Sequence, residues 1–274
     1  MSIINWLKSL KRDYYSPYVM QYDVNRNIRL FNIKADVEKN IEKILALKDK
    51  HKNQRCFIIC NGPSLSADDL TRIHKNGDIS IASNKIDMIF SRTPWRPTYY
   101  AVFDYGYART LLDTMNNMIC EQMFFPIDSF RSTGRVKRDN IVWLNTNGKN
   151  ENELFSTDLT RYIHPWFTVT YCMIQILNWM GIREMYIIGC DNSYAKTKNE
   201  DGSITNNNHS SHFEGYDGKQ KDNSATVAIH ELDKAYFYAR EFADKHGIKI
   251  YNATRGGYLE AFERVCFDDL FLDT

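Results

Sequence analysis

The 274-residue chain is predicted to be an α/β protein, with a Rossmann-like, mostly parallel sheet covered by helices on both faces. Two observations predict this class. From Arg55 onwards, short apolar runs alternate with helical segments, and several runs end in a polar residue or a glycine turn. Continuous apolar runs are typical of strands that are buried on both faces of a parallel sheet. A chain of this length can bury a substantial core in one large domain.

The short apolar runs predict strands at Cys56–Cys60, Ile79–Ser83, Tyr99–Phe103, Gln122–Phe125, Ile141–Leu144, Met185–Gly189 and Lys249–Tyr251. Apolar residues at helical spacing predict helices at Ala35–Lys52, Asp68–His74, Ala108–Asn117, Thr170–Met180 and Thr226–His246. Residues 13–35 show no clear apolar period, so no element is predicted there. We therefore divide the chain into an N-terminal helical extension, residues 1–54, and a sheet domain, residues 55–274.

A tight turn follows the first predicted strand. It consists of Asn61, Gly62, Pro63 and Ser64, and Ser66 is placed to cap the helix that comes next. In open α/β sheets, a strand, a glycine-containing turn and a helix N-terminus in succession form the usual binding place for a nucleotide phosphate. The turn matches neither the G-x-G-x-x-G pattern nor a Walker-type sequence, and ordinary strand-to-helix punctuation is the alternative reading. We predict that its N–H groups hold a phosphate.

Polar residues also follow other predicted strands, namely Asn84, Asp104, Asp191 and Asn252. The carboxyl ends of parallel strands meet at one edge of a sheet, so these side chains should converge. Amide groups both donate and accept hydrogen bonds, as ribose hydroxyls and base edges require. Each residue alone could be a turn or cap residue. Together they predict a nucleotide site.

Composition limits the classes of function. The formal net charge is +1, which gives no reason to expect nucleic acid as a partner. The six cysteines form no C-x-x-C pair, and no long apolar span occurs, so we expect a reduced, cytoplasmic protein. Residues 1–12 form an amphipathic segment with Trp6 beside lysines. It could lie at the inner face of the membrane, or pack on its own domain or a partner.

Two further segments are candidates for function. Residues 195–223 are polar and nearly free of apolar side chains, and their position after a strand predicts a disordered segment or a lid over the site. His209 and His212 within it are a weak metal signal, because no matching cysteine or carboxylate pattern accompanies them. His230 lies near the start of the last long helix, opposite its apolar stripe, where it is either solvated or a general base.

The turn Cys60–Leu65 resembles the glycine–asparagine–glycine–proline–serine–leucine turn of bacterial family 42 glycosyltransferases, the CMP-sialic acid-dependent sialyltransferases. The segment Thr168–Tyr194 resembles their second nucleotide segment. The run Asn252–Gly257 resembles a larger group that includes the 6-hydroxymethylpterin diphosphokinase and flagellar motility accessory factors. The likeness covers residues 55–269, with gaps, and leaves the first fifty residues out.

The resemblance implies roles for individual residues. His230 falls on the catalytic histidine, and Tyr194 on a tyrosine that contacts the leaving phosphate. The nucleotide- and donor-binding positions that it implies are Asn61, Gly62, Pro63, Ser64, Asn84, Asp104, Thr168, Gly189 and Asp191. Three positions depart from the family pattern, because Asp104 replaces an asparagine, Val169 a serine and Trp166 an arginine. The loop that holds a second family tyrosine does not align with this chain, and Tyr216 is the candidate for that tyrosine.

The implied reaction is an inverting transfer of a sialic acid-like sugar from a CMP-activated donor to a hydroxyl of a surface glycan or glycolipid. His230 would act as the general base. No metal or other cofactor would be essential, although Mg²⁺ is compatible, and no Asp-x-Asp sequence occurs in the chain. The related sialyltransferases also imply that the chain self-associates.

Two alternatives stay open at this point. A diphosphokinase related to the pterin enzyme would use ATP and Mg²⁺, with Asp104 and Asp191 holding the metal. A non-catalytic protein of glycan assembly would dock through the N-terminal helix and bind no nucleotide.

Overall fold

The computed structural model describes residues 17–104, 108–147, 154–166, 168–207, 210–216 and 227–272, with side chains from residue 25 onwards. An eight-stranded sheet forms its centre, and every pair of neighbouring strands in it is parallel. The strands are β1 (Arg55–Ile59), β2 (Ile79–Ser83), β3 (Tyr99–Ala101), β4 (Gln122–Pro126), β5 (Ile141–Leu144), β6 (Glu184–Ile188), β9 (Lys249–Asn252) and β10 (Glu263–Arg264). A separate antiparallel hairpin consists of β7 (Lys196–Lys198) and β8 (Ile204–Asn206).

The helices are α1 (Pro17–Lys34), α2 (Val37–Ala46), α3 (Ala67–Asn76), α4 (Leu112–Asn117), α5 (Phe130–Thr133), α6 (Val169–Trp179) and α7 (Ile229–Lys245). Short 3-10 helices occur at Ile86–Arg92, Ile127–Ser129 and Asp268–Phe271. As predicted, Ser66 caps α3, since its Oγ accepts hydrogen bonds from the backbone N–H groups of Asp68 and Asp69. No helix among these described segments is long and apolar enough to cross a membrane.

The sheet is buried on both faces, which explains why its strands are continuously apolar. In β1, Cys56 and Ile58 pack into one core, and Phe57 and Ile59 pack into the other, because successive side chains point to opposite faces. Buried residues of α2, α6 and α7 complete the first core. Buried residues of α1, α3 and α4 complete the second core. The predicted α/β class, with helices on both faces of a parallel sheet, is confirmed.

The strand order places a switch point at the centre of the sheet. The order is β10-β9-β6-β1-β2-β3-β4-β5, so the chain moves outward from β1 to β5 and then returns to the other side of β1. The connections after β1 and β6 therefore leave in opposite directions. In open α/β sheets, this divergence opens a crevice at the carboxyl ends of the two strands, where ligands bind.

The N-terminal helices hold one edge of the sheet. In α2, the Asn40 side chain donates to the carbonyl oxygen of Trp143 at 2.9 Å and accepts from its N–H at 2.8 Å. One amide side chain thus satisfies both outward backbone groups of Trp143 in the edge strand β5. Lys43, one turn later, donates to the carbonyl oxygen of Ile141. These contacts pack the segment before residue 54 onto the sheet, while the domain boundary at that residue stays a prediction.

Three expectations about helices and loops need correction. Residues 13–35, for which no element was predicted, contain α1. Residues 195–223, predicted as an irregular segment, contain the β7–β8 hairpin. Two helices are also shorter than predicted, since α2 ends at Ala46 and α4 begins at Leu112. Residues 1–12 lie outside the described residues, so their predicted membrane contact stays a prediction.

Candidate functional site

A cavity of about 380 Å³ lies at the switch point. Its walls come from the ends of β1, β2, β3 and β6, the starts of α6 and α7, and residues 211–216. The sequence-predicted site residues that line it are Asn61, Gly62, Asn84, Asp104, Thr168, Gly189, Asp191, Tyr194 and Tyr216. Pro63, Ser64, His230 and Asn252 do not line it. Most of the predicted nucleotide positions are therefore brought together around one cavity.

Close packing of two strand ends forms the floor of the cavity. The Gly62 N–H donates to the carbonyl oxygen of Gly189 at 2.7 Å. A Cβ atom at position 62 would lie 2.0 Å from Asp191 Oδ2 and 2.6 Å from the Gly189 oxygen, so this position requires glycine. A Cβ at position 189 would likewise lie 2.8 Å from the carbonyl oxygen of Cys60.

The Asn61–Ser64 turn does not form the predicted cradle of free N–H groups. The Gly62 N–H is bonded to Gly189, Pro63 has no N–H, and the Ser64 N–H donates to Asp191 Oδ2 at 3.2 Å. Ser64 Oγ donates to the same carboxylate oxygen at 2.8 Å. The turn therefore contributes shape and the Asn61 side chain to the cavity, and Ser64 positions Asp191 behind it.

Buried amide oxygens line the cavity without hydrogen-bond partners. They belong to Asn61, Asn84 and Asn192. Asn61 Nδ2 donates to the Ser83 carbonyl oxygen, and Asn192 Nδ2 donates to Asp233 Oδ1 at 2.8 Å. These two bonds fix the amide orientation, because only the nitrogen can donate, and so the oxygens of Asn61 and Asn192 are acceptors. A buried acceptor without a partner is costly, so these oxygens are available to the donors of a ligand or of water.

Hydroxyl and thiol groups surround the side of the cavity next to α6. Thr168 caps α6, and its Oγ1 lies 3.5 Å from the Tyr236 hydroxyl. The same hydroxyl lies 3.5 Å from Cys190 Sγ. The hydrogen bond with the neighbouring Cys190 thiol, together with burial, raises the pKa of the Cys60 thiol, which therefore stays protonated. Tyr236 was predicted only as part of the buried stripe of its helix, and its position on the stripe gives no sign that its hydroxyl reaches a cavity.

Tyr194 follows β6 and lines the cavity, and its contact with a leaving phosphate stays a prediction. Burial is the main reason that the pKa of its phenol is raised. The group therefore stays a neutral hydroxyl at physiological pH and can donate a hydrogen bond. The Tyr194 carbonyl oxygen accepts from Asn207 Nδ2 at 2.8 Å, so the segment after the β7–β8 hairpin helps to hold this residue.

His230 lies beside the cavity but not in its described wall. It is in the first turn of α7, half-buried, with its Nε2 atom 3.4 Å from Glu231 Oε1. Val227 and Leu232, on either side of it in sequence, do line the cavity. The start of α7 therefore borders the cavity, and the predicted role of His230 as a general base stays a prediction.

Residues 210–216 of the predicted lid dock against the site. The Phe213 N–H donates to the Asn61 carbonyl oxygen at 3.0 Å, and the Phe213 side chain is buried. His212 and Tyr216 line the cavity with their rings stacked 3.9 Å apart and 5° from parallel. His209 lies outside the described residues, so the weak metal signal of the two histidines is not tested. Within the described ranges, no group of three or more metal-ligating side chains occurs.

The Asp191 carboxyl gives a prediction about pH. Burial raises its pKa, although the hydrogen bonds from Ser64 act in the opposite direction. A carboxyl whose pKa is higher in the folded chain destabilises it once ionised, so stability should fall as pH rises from the unfolded value of about 3.9 through the raised folded value. We therefore expect Asp191→Asn to raise Tm at neutral pH, and this gain to disappear at acid pH.

The measurement is Tm by circular dichroism across the acid-to-neutral range. Asp113→Asn removes the same charge from an exposed position in α4 and serves as the matched control. A gain in Tm for Asp191→Asn that does not change with pH would contradict the assignment to burial of the ionised carboxylate.

Comparison with known proteins finds solved structures with a similar fold, but no match by sequence. No family model and no curated protein matches the chain. The fold is similar to the MAf glycosyltransferase from Magnetospirillum magneticum AMB-1, with a TM-score of 0.53 and 13% identity. The likeness shows the fold. It covers 87% of this chain and 39% of the other, so this chain spans about two fifths of that protein's length.

A second, weaker likeness is to a mammalian sialyltransferase in complex with Gal-beta-1-3GalNAc-ortho-nitrophenol. Its TM-score is 0.34 at 8% identity, over 86% of both chains, and it carries no further conclusion. The Rossmann-like fold that the sequence predicts is thus similar to the fold of one solved structure, at a TM-score of 0.53.

Proposed function

We propose that this protein is an inverting glycosyltransferase. It would move a sialic acid-like sugar from a CMP-activated donor to a hydroxyl of a surface glycan or glycolipid. The observation that carries the proposal is the set of buried amide oxygens of Asn61, Asn84 and Asn192 around one cavity at the switch point. The likeness to a glycosyltransferase fold supports it, and the resemblance of the turn Cys60–Leu65 favours CMP over other nucleotides.

Amide oxygens select a ligand by the donors that it offers. Ribose supplies two hydroxyl donors, and the amino group of cytosine supplies N–H donors where uracil has a carbonyl oxygen. Each of these donors would satisfy an acceptor that now has no partner in the cavity wall. A cytidine nucleotide therefore suits the acceptors better than a uridine nucleotide does.

The reaction would use one group in the wall of the cavity, Tyr194, and one group beside the cavity, His230. Tyr194, as a neutral phenol, would donate to the phosphate as the bond to the sugar breaks and negative charge develops there. His230 would take the proton of the acceptor hydroxyl as its oxygen attacks the anomeric carbon from the face opposite the phosphate. Inversion at that carbon follows from this geometry. Residues 195–223 would exclude water, which limits hydrolysis of the donor.

The diphosphokinase alternative has one feature in its favour, because the two carboxylates that it needs, Asp104 and Asp191, both line the cavity. Asp191 Oδ2 already accepts two hydrogen bonds from Ser64, which reduces its capacity as a metal ligand. We therefore place this function second. The non-catalytic alternative predicts that no nucleotide binds.

A thermal-shift panel of CMP, CDP, UDP, GDP and ATP, each with and without Mg²⁺, tests the proposal. We expect CMP to raise Tm in the absence of Mg²⁺. At a ligand concentration of 100 times Kd the gain is about 2.7 kcal/mol, which corresponds to roughly 5 °C or more in a chain of this size. Protection by ATP that requires Mg²⁺ would favour the diphosphokinase, and no protection by any nucleotide would favour the non-catalytic protein.

We also propose an acceptor, a mode of association and a membrane contact for this protein. The acceptor glycan or glycolipid, self-association, and contact of residues 1–12 with the cytoplasmic face of a membrane all come from the sequence and its resemblance. Flotation with anionic vesicles, comparing the full chain with one that begins at residue 13, tests the membrane contact.

A further inference from the structure

The charges in the described wall of the cavity would oppose the binding of a nucleotide phosphate. Asp104 and Asp191 bring negative charge to its wall. Among the described residues that line it, none is a lysine or an arginine. The turn amides that could have faced a phosphate are bonded within the protein at Gly62 and Ser64. A phosphate entering this cavity would therefore need another source of positive charge.

His212 is the one described side chain in the wall that can become a cation. Its neighbour Phe213 is bonded through the backbone N–H to the carbonyl oxygen of Asn61, which places His212 next to the first residue of the β1 turn. The cation would thus lie beside the strand end at which open α/β sheets bind phosphate.

The segment that presents His212 is held from several sides. Phe213 is buried, and the Arg92 guanidinium lies 5.8 Å from its ring and donates to the Glu214 carbonyl oxygen. Ser211 Oγ accepts from the Ala195 N–H at 2.8 Å, which ties the segment to the residue after Tyr194. The His212 ring also stacks on Tyr216, which is buried. The imidazole is therefore positioned before any ligand arrives.

We infer that His212, as an imidazolium, binds the phosphate of the nucleotide donor and neutralises the charge that stays on the nucleotide when the sugar leaves. The inference rests on the proposed function and deepens it. The proton on the imidazole stays there throughout, because the role is electrostatic. It is separate from the acceptance of a proton assigned to His230.

Charged groups lie on several sides of the segment that carries the imidazole. Asp104 and Asp191 share the cavity wall with His212. The Lys85 ammonium lies 5.9 Å from the centre of the Tyr216 ring, and the Arg92 guanidinium lies 5.8 Å from the centre of the Phe213 ring. The phosphate of a bound nucleotide would add negative charge beside the imidazole, which would favour its cationic form.

Calorimetric titration of CMP and cytidine tests the inference, because the two ligands differ only in the phosphate. The protein is used as the full chain, in a chelator that removes divalent metals, at a pH near the ordinary imidazole pKa of about 6.5. The variants are His212→Gln, which cannot become a cation, and His212→Lys, which restores one. His74→Gln in the last turn of α3 is the matched control away from the cavity.

We expect His212→Gln to weaken CMP binding by about tenfold or more, as for the loss of a charge-assisted hydrogen bond, while cytidine binding stays unchanged. His212→Lys and His74→Gln should keep the preference for CMP. Equal losses for both ligands, or an unchanged ratio of their affinities in His212→Gln, would overturn the inference and leave the proposed function standing. If neither ligand binds the unaltered protein, the proposed function itself fails.

Discussion

A Gly62→Ala variant should be destabilised by about 3 kcal/mol, at the upper end of the cost of overpacking a filled site. The new methyl group would lie 2.6 Å from the backbone oxygen of Gly189 and 2.0 Å from Asp191 Oδ2. The two strand ends would have to separate to make room, which breaks the bond between Gly62 and Gly189 and those from Ser64 to Asp191. Urea denaturation measures the loss in stability, and CMP titration measures the expected loss of the cavity.

The matched control is Gly77→Ala at the end of α3. Gly77 has a φ of +69°, and nothing lies within 4 Å of the Cβ that alanine would add. Its cost is therefore the left-handed conformation alone, about 1–2 kcal/mol. If Gly62→Ala costs no more than Gly77→Ala and still binds CMP, the two strand ends are not in close contact at Gly62.

A His230→Ala variant should lower the rate of sugar transfer by about 10²–10⁴-fold, the usual contribution of a general base. His230 is half-buried and does not line the described cavity wall, so CMP should protect the variant against heat as it protects the unaltered protein. The loss should therefore appear in kcat under saturating donor. This separation of chemistry from donor binding distinguishes a base from a residue that holds the nucleotide.

His246→Ala is the matched control, because it removes a histidine from the opposite end of the same helix. His246 is exposed, stacks on Phe242 and caps the helix end through the Phe242 carbonyl oxygen. Its loss should leave the rate of transfer unchanged. A His230→Ala variant with full transfer activity would show that His230 is not the general base.

The sheet could be predicted from the sequence because its strands are buried on both faces. β1 contributes to two separate cores, so its apolar run is uninterrupted, and the same holds for β6. The ends were less predictable. β3 was expected to continue to Phe103, but it ends at Ala101, and Phe103 and Asp104 turn into the cavity. A strand that ends at a site can leave the sheet's hydrogen bonding before its apolar run ends, so the run alone does not give the last residue of the strand.

The missed elements lack a periodic signal for physical reasons. In α1, the buried side chains include Asn27 as well as Phe31, and the Asn27 amide oxygen accepts from the Arg131 N–H. A polar residue therefore occupies a position at which an apolar stripe would be expected. β7 and β8 consist of lysine, threonine and asparagine with the single apolar residue Ile204, which is exposed, so they show no apolar alternation.

The site residues that could be predicted are those whose place follows from local sequence, and the missed ones depend on contacts between distant segments. Residues directly after predicted strands, such as Asn61, Asn84 and Asp191, could be assigned to one edge by topology alone. Asn192 was not assigned, although it adjoins Asp191, because its value to the site depends on an amide orientation that Asp233 fixes. His212 was considered only as a metal ligand, since its place beside Asn61 depends on a contact between segments about 150 residues apart.

The amide of Asn40 has a consequence for how copies of this chain can meet. An exposed strand edge is a template on which a second chain can extend the sheet. At β5 that template is already occupied, because Asn40 satisfies both outward groups of Trp143 and Lys43 satisfies the Ile141 oxygen. At the other edge, β10 is a strand of only two residues. A dimer built by joining two of these eight-stranded sheets, edge to edge, into one continuous sheet is thus disfavoured.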